Sequence, residues 1–161
     1  MVKKRKFIFA AALLFITLSF LSASAQTLTQ TINLKPGFNF VCFTNVIALT
    51  PSQFKQLNAS AIEDIYLYSA AAGSFLSLSE GSLTSLAAGK GYIVKNASAA
   101  SATITVNGTA LGALGNITLK TGFNLVGFSK APQSAVRFSQ LMNSYTAVRG
   151  IYKWNPAAGS F

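Results

Sequence analysis

Short apolar runs punctuated by glycine and small polar residues set the pattern of this chain. Ile32 to Leu34, a Lys35-Pro36-Gly37 turn and Phe38 to Phe43 read as two short strands, or one strand bent at the glycine, because β-branched and aromatic residues flank turn formers. Gly37 is expected at positive φ, which side chains resist. Asn39 interrupts an apolar run, so its amide must find backbone partners in the neighbouring turn. From Thr50 to Leu57 the pattern changes to a short helix, with Thr50 as cap, Pro51 in the first turn and Phe54/Leu57 three apart on one face turned to the sheet. Ile65 to Tyr68 and Ser74 to Leu78 predict a hairpin around Ser69 to Gly73. Gly89-Lys90-Gly91 then turns into a strand over Tyr92 to Lys95, and a last strand, Thr103 to Val106, runs to Asn107-Gly108, a tight-turn dipeptide. About six strands and one short helix predict a mainly β fold: a small antiparallel β-sandwich or barrel-like unit with the helix closing one end.

The pattern then starts again. Ile32 to Phe43 returns as Ile117 to Phe128, with Gly122 and Asn124 in the places of Gly37 and Asn39, 85 residues on. Tyr66-Leu67-Tyr68 returns as Tyr152-Lys153-Trp154, and Ala71-Ala72-Gly73-Ser74-Phe75 as Ala157-Ala158-Gly159-Ser160-Phe161, the last five residues. Ser134 to Leu141 answers the helix, with Phe138/Leu141 as its apolar edge. This spacing is a small domain in tandem, longer than the roughly 20–50 residues of solenoid repeats. The organisation expected is a signal peptide over 1–25, a first β-rich repeat over 26–113 and a second, incomplete repeat over 114–161. No counterpart of Gly89 to Val106 follows Trp154, so the sequence is expected to be a fragment of a longer reading frame, with strands donated by another chain as the alternative.

The N-terminus reads as an export signal of bacterial flavour. Lys3-Lys4-Arg5-Lys6 precede an apolar stretch from Phe7 to Leu21, and Ala23-Ser24-Ala25 offers small residues for cleavage before Gln26. The apolar stretch falls short of the roughly 20 residues that span a bilayer, so no stable membrane span is expected after cleavage. The formal charge of +10 falls to +6 without those four basic residues, and the remaining nine Lys and Arg are scattered singly. That scatter argues against nucleic acid, whose partners concentrate positive charge.

Little chemistry is on offer. The chain has no His, one Cys and three acids, Glu63, Asp64 and Glu80. Glu63 and Asp64 are adjacent, point to opposite faces of an extended strand, and read as solvated charges. Gly89-Lys90-Gly91 lacks the glycine and the Ser/Thr of a phosphate loop and leads into a strand. Four Asn-x-Ser/Thr sequences, at Asn58, Asn96, Asn107 and Asn116, are read as polar loops. Cys42 answers to Gly127 in the second copy, which favours a small packed side chain over a redox role. No catalytic, cofactor-binding or metal-ligating residue is therefore predicted. The residues that remain for contact with a ligand are aromatic: Tyr66, Tyr68, Tyr92, Tyr152 and Trp154, of which Tyr66/Tyr68 and Tyr152/Trp154 share strand faces. Packing into the core with a hydrogen-bonded polar tip is their alternative role.

Gly37-Phe38-Asn39-Phe40-Val41-Cys42, Tyr66-Leu67-Tyr68 and Gly89-Lys90-Gly91-Tyr92-Ile93-Val94 resemble the opening, central and closing strands of tandem GWNLVS…GKGYWV-type β-rich repeat modules of bacterial secreted and cell-surface proteins. Gly122 to Gly127 and Tyr152 to Trp154 supply the first two again. Phe38 and Phe123 stand where the family pattern has Trp, and Ile93 where the closing Trp would be, so a ligand role of those tryptophans does not carry over. The resemblance implies export and a β-rich scaffold without a reaction. A non-enzymatic module for adhesion, display or spacing in a larger extracellular protein is expected, with a cell-surface glycan or protein as partner. An accessory glycan-binding module of a secreted hydrolase and a subunit self-associating through unpaired strand edges are the alternatives.

Overall fold

A computed structural model describes residues 26–113, 115–130 and 136–161. The expected signal peptide and the start of the second helix, at Ser134 and Ala135, lie outside the described residues. Six strands form in the order the pattern predicts. β1 (Thr27–Leu34) pairs with β6 (Ala102–Thr109) in one antiparallel sheet, and β2 (Gly37–Cys42), β5 (Gly91–Asn96), β3 (Ile62–Ser69) and β4 (Ser74–Ser77) lie side by side in that order in the other. Both sheets turn apolar side chains onto one core, in which Ile32, Leu34, Ile104 and Val106 meet Phe43, Phe54, Ile62, Ile65, Tyr92 and Val94. Among the described residues no strand closes the two sheets into a barrel, so the fold is sandwich-like.

Each long strand pair crosses from one sheet to the other through a bend clasped by an asparagine. At Lys35-Pro36-Gly37 the glycine takes φ 85° and Asn39, 5% exposed, accepts from Lys35 N at 2.8 Å while donating to Lys35 O and Gly37 O at 2.8 and 3.0 Å. On the partner strand Asn96, also buried, donates to Ala100 O at 3.0 Å and accepts from Ser98 N at 2.9 Å. These side chains supply the hydrogen bonds that the sheet ladders lack at the corner. Asn124 repeats the Asn39 clasp with Lys120 N, Lys120 O and Gly122 O at 2.9, 2.8 and 3.1 Å, and Gly122 has φ 92°.

The helix α1 (Pro51–Gln56) is capped as expected: Gln53 N donates to Thr50 Oγ1 at 3.2 Å and Thr50 N to Gln53 Oε1 at 2.9 Å. Only Phe54 of its apolar pair enters the core, because Leu57 falls at the helix end and stays 45% exposed. The second helix, α2 (Phe138–Ser144), buries nothing, so its Phe138/Leu141 edge does not pack on a sheet. Its first turn keeps half of the cap, with Arg137 N donating to Gln140 Oε1 at 2.8 Å and no acceptor on the arginine side chain to answer.

Asn107-Gly108 is not a turn. β6 continues through both residues to Thr109, and Val46 exchanges backbone hydrogen bonds of 2.9 Å with Thr109. A Cβ on Gly108 would collide with the Val46 carbonyl, so glycine is there to let a backbone pass and not to reverse the chain. The second copy differs most from its expected form. Residues 117–128 make a single isolated bridge, Lys90 with Val126, and no strand. Among the described residues no strand lies beside residues 117–128 as β5 and β6 lie beside β2 and β1. No hydrophobic residue of the described 115–161 belongs to the core.

Candidate functional site

Alternation sends Asn39 and Val41 of β2 inward and Phe38, Phe40 and Cys42 outward. The register then fixes what lies beside them on the outer face: Lys95 next to Phe38, Ile93 next to Phe40, Gly91 next to Cys42. Further across, Tyr66 faces Ile93 and Tyr68 faces Phe75. The outer face of the four-stranded sheet is therefore aromatic. Phe75 meets Tyr66 and Tyr68 edge-on, at 6.5 and 5.2 Å between ring centres. Ile93 is nearly buried yet lies apart from the core; it forms the floor of this face.

Part of the face is covered by the chain itself. Trp154 packs on Phe40 at 5.0 Å with the rings tilted by 37°, its Nε1 donates to Phe38 O at 3.1 Å, and Phe161 packs against both rings at 5.3 and 5.2 Å. Residues 125–129 cross the end of the same face. Leu125 lies over Gly91, Gly127 against Cys42 and the Lys90 carbonyl, and Ser129 Oγ accepts from Gly89 N. Cys42 and Gly127, which occupy matching places in the two similar sequence segments, are thus neighbours in space, and a Cβ on Gly127 would stand 2.6 Å from Cys42 Cβ. Burial raises the Cys42 thiol above its ordinary value, against a weaker opposing effect of its hydrogen bond to Phe128 O. That suits packing better than reactivity. Between Trp154 and the β3–β4 hairpin an open depression of about 310 Å³ remains, lined by Phe38, Phe40, Tyr66, Phe75, Ile93 and Trp154.

The polar groups around the depression already have partners. Lys95 Nζ lies 2.7 Å from Glu63 Oε1 and 5.9 Å from the Phe38 ring centre. Asp64 is not the solvated charge its sequence position suggests. It is 4% exposed and accepts from Ile65 N at 2.8 Å, Ser79 N at 3.1 Å and Ser79 Oγ at 2.5 Å. The reason is a bulge between Ile62 and Asp64, which breaks the alternation and sets Asp64 opposite Lys95 while Glu63 reaches the same lysine. Desolvation pushes the Asp64 carboxyl up, but the hydrogen bonds from Ser79, Ile65 and the Tyr66 hydroxyl outweigh it, so it lies below its ordinary value of 3.8. Tyr66 is pushed up in turn, first by desolvation and then by the nearby Asp64 charge.

A depressed native carboxyl contributes stability that is present above its ordinary value and lost as pH falls through the lower native one. Asp64→Asn is therefore expected to cost about 1–3 kcal/mol at neutral pH, with the gap to the unmodified protein closing below pH 3.8, as urea midpoints across pH would show. A gap constant with pH would refute this role.

Of the aromatic residues expected to contact a ligand, Tyr66, Tyr68 and Trp154 come together on the outer face. Tyr92 does not: it is 1% exposed, packs on Phe43, and its hydroxyl accepts from Ala87 N at 2.8 Å. Tyr152 lies away from the depression, 67% exposed over Gly150, and shares no strand face with Trp154 because that segment forms none. Phe38, Phe40 and Phe75 line the site as well, beside the aromatic residues the sequence predicts. Their signal was the period of two: Phe38 and Phe40 share the face opposite Asn39, and Phe75 lies across the hairpin from Tyr68. Among the described residues no three of His, Cys, Asp and Glu gather as metal ligands do, and no helix is long and apolar enough to cross a membrane.

The fold and this face define a small antiparallel β-sandwich-like protein with an aromatic outer sheet surface. Comparison with protein families, curated proteins and solved structures found no match.

Proposed function

We propose that this chain is a non-catalytic, secreted or cell-surface β-repeat module that serves adhesion, display or spacing within a larger extracellular protein. The observation that carries this reading is the outer sheet face, where aromatic rings are gathered for contact while the acids and the thiol nearby are engaged in structural roles. The N-terminal Lys3 to Ala25 pattern and the resemblance to tandem repeat modules of secreted proteins support the export half of it.

An accessory glycan-binding module is the second reading, favoured by the Trp154 and Tyr66 rings, since sugars stack on such surfaces. Sugar recognition also needs free polar groups beside the rings. Here the Trp154 indole N–H and the Lys95 ammonium are committed to Phe38 O and Glu63. The test is expression of the tagged protein in a bacterium, with N-terminal sequencing, surface-protease digestion and a glycan array on the product. The expected result is a surface-exposed or released protein starting at Gln26 with a blank array. An intracellular protein that keeps Met1 to Ala25 would overturn the proposal, and strong array hits abolished by Trp154→Ala would favour the second reading.

A further inference from the structure

β1 is a long strand with one edge left open. Thr109 of β6 exchanges both of its backbone hydrogen bonds with Val46, so its β1 partner Thr27 turns its own N–H and C=O away from β6. The antiparallel ladder alternates, and Thr29, Thr31 and Asn33 therefore face the same open side. Among the described residues none of these four N–H and C=O pairs has a partner. The other strand edges are engaged or short. On β2, Trp154 Nε1 donates to Phe38 O and Gln30 Nε2 to Cys42 O; β6 is bridged at Thr109; β4 is four residues long. β1 also lacks the devices that keep an edge from pairing, since Thr27 to Asn33 contain no charge, proline, glycine or bulge.

We infer that β1 pairs with β1 of a second copy of this chain, antiparallel about a two-fold axis through Gln30. The strand is close to a palindrome about that residue: Thr31 mirrors Thr29, Ile32 mirrors Leu28, and Asn33 mirrors Thr27. Pairing about Gln30 sets Thr29 opposite the partner's Thr31 and Thr27 opposite the partner's Asn33. These are the residues whose N–H and C=O point to the open side, so each pair exchanges two backbone hydrogen bonds. Side chains agree on both faces. The outer face joins Thr and Asn to Thr and Asn, and the inner face brings the half-buried Leu28 beside the partner's Ile32. β6 already shows what β1 accepts, with Asn107, Thr105 and Thr103 opposite Thr29, Thr31 and Asn33, and Ile104 opposite Ile32. A second β1 offers the same chemistry to the open edge, and the two-fold axis makes every favourable pair occur twice. The two ribbons then become one four-stranded sheet in the order β6-β1-β1-β6.

The pairing goes beyond the proposed function and does not depend on it, so export could fail while dimerisation stands, and the reverse. One strand makes a small interface. Sedimentation velocity of the purified protein in reducing buffer, from about 1 μM to 1 mM, is expected to show a monomer–dimer equilibrium. Over the same range the amides of Thr29, Thr31 and Asn33 should become protected from hydrogen exchange as the dimer fills. Those of Thr103 and Thr105, which face the opposite edge of the same sheet, should stay fast. Thr29→Lys with Thr31→Lys opposes like charges at both central pairs and is expected to weaken the dimer about tenfold or more. Thr29→Glu with Thr31→Lys opposes acid and base at both and should hold the dimer at least as tightly as the unmodified chain. In a register shifted by two residues it would oppose like charges instead. A monomer throughout, protection equal at the two edges, an undiminished dimer in the double-lysine variant or a weaker one in the acid–base variant would each overturn the inference. Should a variant fail to fold by circular dichroism, amide exchange in the unmodified protein decides.

Discussion

Phe43→Ala is expected to lower the free energy of unfolding by about 3–5 kcal/mol, the usual cost of deleting a buried aromatic ring. That approaches the whole stability of a domain of this size, for which roughly 0.05–0.15 kcal/mol per residue is typical. Phe43 follows the last residue of β2 and is 1% exposed. Its ring is the hub of the core, 5.6 Å from Phe54 at 80° and 5.5 Å from Tyr92 at 52°. It thereby ties α1 to the four-stranded sheet, and with the ring gone neither neighbour can close the gap without leaving its own hydrogen-bonded or capped position. Tyr92 is held by Ala87 N and Phe54 by a helix whose start is fixed at Thr50. Urea unfolding followed by far-ultraviolet circular dichroism measures the cost. Trp154 emission is a poor substitute, since that ring reports the outer face. A loss below about 1 kcal/mol would show that the core relaxes around the missing ring. Phe123→Ala, at an exposed ring of the second copy, is the contrast and should stay within about 0.5 kcal/mol.

Much of this architecture was legible because alternation and turn residues decide it locally. The six strands, the Thr50 cap and the Gly37 and Gly122 turns all follow from short windows of sequence. What could not be read depends on partners far along the chain. Asp64 looked solvated because alternation alone does not reveal the bulge that sets it beneath Ser79. Gly108 looked like a turn because nothing adjacent announces that Val46 passes against it. The candidate site was half visible. Tyr66, Tyr68 and Trp154 carried a recognisable spacing, whereas the roles of Phe38, Phe40 and Phe75 depend on which of two sheet faces meets the core. Tyr92 has the same residue type and a similar strand context as Tyr66, and only the opposite direction of its side chain puts it inside. Residues 122–127 show the limit most plainly: they keep four of the six residues of β2, with Leu125 for Phe40 and Gly127 for Cys42, yet form no strand, since a strand is defined by what lies beside it.

The two clasping asparagines separate local geometry from its energetic consequence. Asn39→Ala should cost about 2–3 kcal/mol, because it leaves the Lys35 N–H and two carbonyls unmatched at a bend that must hold both sheets in place. Water reaches the exposed Lys35 and Pro36 and recovers part of the loss, which keeps the figure below three full unsatisfied groups. Asn124→Ala removes three hydrogen bonds of nearly the same lengths and should cost less than about 0.5 kcal/mol. Around Asn39 the bend is continuous with β1 and β2, so loosening it misaligns Leu34 and Val41 against the core. Around Asn124 the chain leads into no strand and buries no core residue, so its turn can open without pulling on anything else. Urea midpoints of both single variants and of the double variant test this, with the double expected to match Asn39→Ala alone within error. Equal costs for the two substitutions would mean that the second turn is braced by a packed unit as complete as the first, and the isolated Lys90–Val126 bridge would then understate how firmly residues 117–128 are held.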